Sequence, residues 1–547
     1  MHTDRLLAVF IVSLMTCRLG HAASSSQATP VREVDAACAR CHAAIFKTYL
    51  ATPMANASGL AIEKPHTGTF AHKASSTEYT ISARNNQAVL SYRSIKSPDV
   101  AEELPLNYFL GSGHLGTTYL YTIGDFLFES PIAWYGPSKS FDMKPGLADL
   151  DHVPPPLPMQ SNCLRCHMSS VQASDDGTIN RYRGLAFLHT GITCEACHGD
   201  SKTHVQARGK GAIVNPAKLS ADLRDSICIS CHLEGDVSVE RSGRSALDYR
   251  PGDPIASFVA FYVKAGSKLT DRGVSEVEQL SQSTCKRISG TKMSCTSCHD
   301  PHFTPEPAQK AAFFRNKCLA CHNRPEFAAT HHPENKDCTS CHMPRSGAEN
   351  IPHVAWTDHR ILARPSESAP AVATTSGGDL TPIFSPGSTA RDLAMANYQA
   401  LLEGDRSREP TAWQQLSADR DLIVNDKAAL DAVGNLSAER GDLKQADQVF
   451  RRVLALDPND LTALSNLGVL LAKEGKLNES VAVLERAFAR NQDIPGLSMN
   501  LARVQCMAGD GAAARRTLNT ALNYCRNLDD MRRLLTQMNS CTATGTK

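Results

Sequence analysis

A chain of 547 residues is too long for one ordinary domain and suits about two to four. Apolar residues at 42% and charged residues at 21% exclude a disordered or collagen-like chain, and a net charge of +1 excludes a field that would draw nucleic acid or an acidic membrane. The unusual quantity is the 19 cysteines, and their positions matter more than their total.

The first residues read as an export signal. Arg5 is its positive end, Leu6 to Met15 its apolar run, and Gly20-His21-Ala22 a small-x-small cleavage site. That run is too short to cross a bilayer and no later stretch is apolar enough, so residues 1–22 are read as a cleaved signal peptide and the remainder as not membrane-spanning. The alternative is a lipid anchor on Cys17, against which Leu14-Met15-Thr16 lacks the small residues that such processing prefers.

Residues 23–363 contain every paired cysteine. Within them, about 67–135 carries strand signals. Glu78–Ser82 and Ala88–Tyr92 flank Asn85-Asn86, and Thr118–Thr122 and Phe126–Phe128 flank Gly124-Asp125; each set reads as a β-hairpin. The remaining stretches read as short helices and loops. The expected fold is therefore an α-rich domain with a small β insertion.

Fourteen cysteines form seven Cys-x-x-Cys pairs, and each pair is followed by histidine: Cys38-Cys41-His42, Cys163-Cys166-His167, Cys194-Cys197-His198, Cys228-Cys231-His232, Cys295-Cys298-His299, Cys318-Cys321-His322 and Cys338-Cys341-His342. Chance placement predicts about 0.02 such motifs in a chain of this composition. Cysteines at i and i+3 project to one side of a helical turn, so two thiols reach the two vinyl groups of one haem edge, and the next residue brings an imidazole to the iron. Zinc ribbons have no need for a uniform histidine, and redox dithiols need one pair. The motifs thus predict seven covalent haem c groups with seven proximal histidines. Propionates would make the loaded protein more acidic than the chain alone.

Distal ligands come from the histidines outside the motifs, namely His66, His72, His114, His152, His189, His204, His302, His331, His332, His353 and His359. His204 and His302 follow their own motifs too closely to reach the far face of the same haem, so each is a candidate for a neighbour. His353, His359, His72 and His114 are further candidates. Met54 is either an axial ligand, which would raise a haem's potential, or a core residue. Cys285 is either an iron or redox thiol or a buried one; Cys506 and Cys525 fall on helices and read as core.

Residues 364–390 have linker composition. Beyond them, residues 391–547 repeat every 34 residues. Gly441, Gly475 and Gly509 fall in step, as do Ala446, Ser480 and Ala514, and Leu436, Leu470 and Val504. This is the tetratricopeptide (TPR) period, with repeats at about 425–458, 459–492 and 493–526 and capping helices at 391–424 and 527–538; a generic helical bundle is the alternative.

The cysteine region resembles the cytochrome c-554/c-prime type of multihaem cytochrome, in a form fused to TPR repeats. The resemblance rests on Cys38-Ala-Arg-Cys41-His42 with Tyr49 and Thr52-Pro-Met54-Ala, on Gly191-Ile-Thr-Cys194-Glu-Ala-Cys197-His198-Gly199 with His204, on Cys295-Thr-Ser-Cys298-His299-Asp-Pro-His302, and on Cys338-Thr-Ser-Cys341-His342-Met-Pro with Thr357-Asp358-His359-Arg360. Phe70-Ala-His72 and Gly111-Ser-Gly113-His114 also look like its pattern. It implies periplasmic electron transfer and mainly bis-histidine haems. Two departures stand out. Met54 replaces a usual histidine, and Glu276 stands where related fusions often carry one. The leading expectation is an electron carrier whose TPR region docks a redox partner protein. An oxidoreductase acting on a small nitrogen or sulfur compound at one open haem, and a TPR scaffold or sensor with haem redox input, are the alternatives. No Cys-x-x-Cys-Lys motif occurs, which counts against the oxidoreductase.

Overall fold

The computed structural model describes residues 27–541 apart from 98, 268–272, 332–334, 348–350, 352, 364–378, 385–387 and 419–424. The signal segment 1–22, Cys17, His332 and most of the linker lie outside the described residues.

The cysteine region is richer in strands than its motifs suggest. Between the first and second motifs, an antiparallel four-stranded sheet (Gly68–His72, Thr77–Arg84, Gln87–Ser94, Ala101–Leu106) packs with a seven-stranded one built around Gly116–Ile123. Asn85 and Asn86 turn the first hairpin with φ of +50° and +59°, the doubly positive geometry whose twist matches paired strands. Tyr79, Ile81 and Leu90 point inward with Tyr119 and Phe128 and are almost wholly buried. The β part runs from Ser58 to Pro158, wider than 67–135. Among the described residues three smaller sheets lie elsewhere, so the expected α-rich domain with a small insertion is corrected to a mixed, strand-rich one.

The physical reason is that haem attachment asks little of a helix. Glu195–His198, capped by Cys194, and Cys338–His342 span only 4 and 5 residues, one turn each, enough with that cap to present two cysteines and a histidine. Only Ala36–Tyr49, Ala221–His232 and Lys310–Leu319 reach ten residues or more among the motif helices.

The C-terminal region is an all-α solenoid. Three helix pairs follow one another: Lys427–Glu439 with Leu443–Leu456, Leu461–Lys473 with Leu477–Phe488, and Pro495–Met507 with Gly511–Leu522. The turn glycines 441, 475 and 509 sit at φ of +83°, +77° and +89°, where a side chain would be strained. Ala446, Ser480 and Ala514 are fully buried where the paired helices cross. Ala390–Leu402 with Glu409–Ala418 precedes the repeats, and Asp529–Gln537 closes them. Cys506 does not simply pack in the core: it forms a disulfide with Cys541, which ties the chain end to the last repeat, while Cys525 is buried as a thiol.

The solenoid is anchored on the cysteine region at both ends. Leu393, Ala396 and Ala400 pack on the sheet formed by Val237–Glu240, Val259–Lys264 and Leu380–Pro382; the last of these strands comes from the linker stretch. Arg241 pairs with buried Asp392 there, and Arg391 Nε lies 2.8 Å from Asp426. At the far end Tyr524 packs edge-on to Phe126 at 5.1 Å, and Asn527 Nδ2 donates to the Tyr92 hydroxyl at 2.7 Å.

Candidate haem centres

All seven motifs open onto one continuous cavity of about 4140 Å³. That is about 590 Å³ per motif, the size of pocket that holds one large organic ligand. The wall area is mainly apolar, and basic side chains such as Arg40, Arg165, Arg224 and Lys317 line it beside the motif cysteines and histidines, so lining and donor set fit haem and its propionates.

The motif thiols also form a chain of neighbours. Cys194 lies against Cys38, Cys166 against Cys231, Cys295 against Cys228, and Cys318 against Cys338. Cys197 is close to Cys231, and Cys298 to Cys321. Sulphur contacts join motif one to three, two to four, four to five and six to seven, and charge interactions between the thiols link three to four and five to six. Sequence neighbours are not always spatial neighbours here, because the β part separates motif one from motif two.

Several imidazoles are held through one ring nitrogen in the way that metal-bound histidines are. His198 Nδ1 donates to the Val214 carbonyl at 3.0 Å, His342 Nδ1 to Leu362 at 2.5 Å and His359 Nδ1 to Thr357 at 2.8 Å, which leaves each Nε2 available. Burial, and then the neighbouring charges of His359, His232 and Lys317, push His299 down to about 4, so it is an unprotonated base at neutral pH. Burial also lowers His167.

Among the described residues, three imidazole pairs have the separation of two ligands on opposite sides of one iron. The ring centroids of His198 and His302 are 6.0 Å apart, those of His299 and His359 6.2 Å, and those of His331 and His342 6.0 Å, with the planes within 27° of parallel. Two metal–nitrogen bonds of about 2 Å plus a ring half-width on each side give about 6 Å. His302 and His359, both sequence candidates, thus face motif histidines. His331 was present in the sequence but not singled out; its signal was the His331-His332 doublet shortly before Cys338.

The other candidates separate. His204 lines the cavity with Nδ1 donating to the Gly211 carbonyl at 3.1 Å, and His114 and Met54 also line it. Met54 packs beside Val31, Tyr49 and Ala55. His72 does not fit the ligand role: it is buried inside the β part, with Nδ1 2.8 Å from Ser75 Oγ and Nε2 2.8 Å from the Ala148 carbonyl, so both nitrogens are used. His353 also departs from expectation; its Nε2 meets Asp142 at 2.7 Å and its ring packs on Tyr135. Cys285 is a free thiol on the cavity wall. Glu276 lines the cavity too, and its Oε2 is shut from solvent without a hydrogen-bond partner among the described residues.

Comparison with known proteins finds matches in both the cysteine region and the solenoid. Residues 149–199, holding motifs two and three, match the family model for cytochrome c554 and c-prime, and 289–327, holding motifs five and six, match the doubled CXXCH motif. Residues 437–495 and 471–538 match the tetratricopeptide repeat. The multiheme cytochrome MtrA of Shewanella baltica is 25% identical over 213 residues, 36% of this chain, and the match spans 57% of that protein's length. Among solved structures, MamA from Desulfovibrio magneticus RS-1 is 22% identical with a TM-score of 0.26, covering 28% of this chain and 85% of its own. The Pseudomonas aeruginosa pilF structure is 20% identical with a TM-score of 0.25, covering 27% of this chain and 67% of its own. The chain is a multihaem c-type cytochrome with TPR repeats, and no described helix is long and apolar enough to cross a membrane.

Proposed function

We propose that this is an exported, periplasmic electron carrier with seven haem c groups, one per motif, and that its TPR solenoid docks a redox partner protein. The observation that carries the reading is the unbroken run of neighbouring motifs around one cavity. The haems supply one-electron chemistry; the chain attaches them through the fourteen cysteines, holds each iron by its motif histidine and keeps neighbours close enough for electrons to hop. His302, His359 and His331 would be second ligands for the irons held by His198, His299 and His342, and His204, His114 and Met54 are the next candidates. The Cys506–Cys541 bond supports an oxidising compartment. Because the solenoid is anchored at both ends, it would hold a partner at a fixed place relative to the haems.

Intact mass and a reductive titration test this. Seven haem additions and stepwise reduction of all seven irons are expected; fewer attached haems would contradict the count. For docking, charge reversals on exposed repeat residues should weaken partner capture with haem content unchanged, and undiminished capture would overturn it.

One observation favours a second reading, an oxidoreductase. The Glu276 carboxyl on the cavity wall, whose Oε2 has no hydrogen-bond partner among the described residues, is the kind of group that moves protons beside an open iron. Ferric spectra decide between them. A wholly low-spin protein, unchanged by nitrite or hydroxylamine, rules out the enzyme; a high-spin signal that shifts with either rules out the simple carrier.

A further inference from the structure

Most motif pairs that touch through their sulphurs are far apart in sequence, and in two of them a contact besides the haem bonds joins the pair. Two buried carboxylates stand at that place. Asp35 lies three residues before Cys38 and is 1% exposed. Its Oδ2 accepts the backbone N–H of Cys194 at 2.8 Å, while its main-chain carbonyl accepts the N–H of Cys38 at 2.9 Å. One residue thereby holds the first cysteine of motif one and that of motif three. Asp225 lies three residues before Cys228, is also buried, and its Oδ1 accepts the N–H of Cys295 at 3.2 Å. The offset, the acceptor and the target are the same in both places.

The asymmetry within each pair explains why the contact is needed. The aspartates belong to the motifs on the longer helical segments, Ala36–Tyr49, which kinks at His42, and Ala221–His232. The motifs they hold start single turns, Glu195–His198 and Cys295–Ser297. A single turn is barely stable alone and begins with unsatisfied N–H groups. Burial raises both carboxyls, and the donated N–H draws them back down. An Asp35 oxygen and the sulphurs of Cys38 and Cys194 lie within 4.8 Å of one another, a set that could hold a metal ion. Thioether bonds commit both sulphurs to haem, which leaves the carboxylate to serve the backbone. The pair of motifs six and seven is built differently: Arg315 stands three residues before Cys318, and Asp337 caps its own helix through Thr339 N.

We propose that Asp35 and Asp225 are positioning residues that lock motif one to motif three and motif four to motif five, fixing the orientation of two haem pairs. The inference rests on the haem-carrying reading above. It is tested on the exported full-length protein with Asp35→Ala, Asp225→Ala, Asp35→Asn and Asp225→Asn, read by intact mass, Soret circular dichroism and redox titration. The alanine variants should attach as many haems as the parent yet lose the exciton signal of one pair and shift its midpoints. The asparagine variants keep an acceptor oxygen and should retain the signal. Alanine variants with the parent's dichroism and midpoints would overturn the proposal. If an alanine variant is not exported, its asparagine counterpart decides: a parental signal supports the clamp, and a lost one overturns it. A parent without seven haems would overturn the haem count instead, so the two failures are distinct.

Discussion

Asn491, in the turn between the second and third repeats, donates its side-chain amide to the carbonyl of Gly177 at 2.8 Å, a contact spanning 314 positions of chain. Arg490 Nε donates to the Asp176 carbonyl beside it at 2.9 Å. Gly177 has φ of +69°, and a Cβ there would lie 2.1 Å from the Asn459 carbonyl oxygen. Both features make this loop a seat for the solenoid. Gly177→Ala should therefore loosen the seat more than Asn491→Ala, whose cost is about 1–3 kcal/mol because it strands a carbonyl. Faster hydrogen exchange in the second and third repeats, with haem content unchanged, is the expected result. Unchanged exchange in Gly177→Ala would show that the seat is not needed.

The facing rings of His198 and His302 predict a spectroscopic change rather than a loss of cofactor. His302→Ala should leave every haem attached and convert one low-spin iron to high-spin in the ferric EPR spectrum. His353→Ala should leave the spectrum alone, because its ring is engaged with Asp142 and Tyr135. His72→Ala should also leave the spectrum alone while lowering stability, since it removes two buried hydrogen bonds. A new high-spin signal in His72→Ala, or none in His302→Ala, would reverse these assignments.

These outcomes also show which features were legible in the chain itself. Attachment is local, so Cys-x-x-Cys-His fixes it by spacing. The Asn85-Asn86 hairpin and the 34-residue helical period are local too, and their turn residues announce them. Distal ligation is not local: the separation of His299 from His359 in sequence says nothing about a 6.2 Å ring contact. His72 looked like a ligand because a histidine in a strand carries no mark of being hydrogen-bonded on both nitrogens. Asp35 and Asp225 were invisible because each acts on a motif distant in the chain. The breadth of the β part is not local either, because Ser58–Leu60 and Leu157–Pro158 become strands only by pairing with Tyr108–Leu110 and Phe126–Glu129.

The Cys506–Cys541 bond closes a loop of 35 residues around the last repeat and its closing helix. Chain entropy assigns such a loop about 3–4 kcal/mol. Cys541→Ser should lower the melting temperature of the solenoid and speed exchange in Asp529–Gln537, with little effect on haem spectra. A melting temperature equal to that of the parent would mean that Met531 and Leu534, buried under the same helix, hold the cap unaided.

Asp493 predicts how stability varies with pH where the solenoid meets the cysteine region. It is 6% exposed, and burial pushes its carboxyl up to about 6, against the counteracting hydrogen bond from Asn180 and the charge of Arg181. The folded state therefore holds this proton at pH values where the unfolded chain has lost it. Between about pH 4 and 6 the folded state binds more protons, so this group lowers stability as pH rises, and above about 6 the full penalty remains. Asp493→Asn removes the ionisation and nearly preserves shape. It should melt higher than the parent at pH 7 and close to it at pH 4, and the gain should grow across the window between. A gain that is the same at both pH values would mean that Asp493 is ionised throughout, held so by Arg181, and that burial does not govern it.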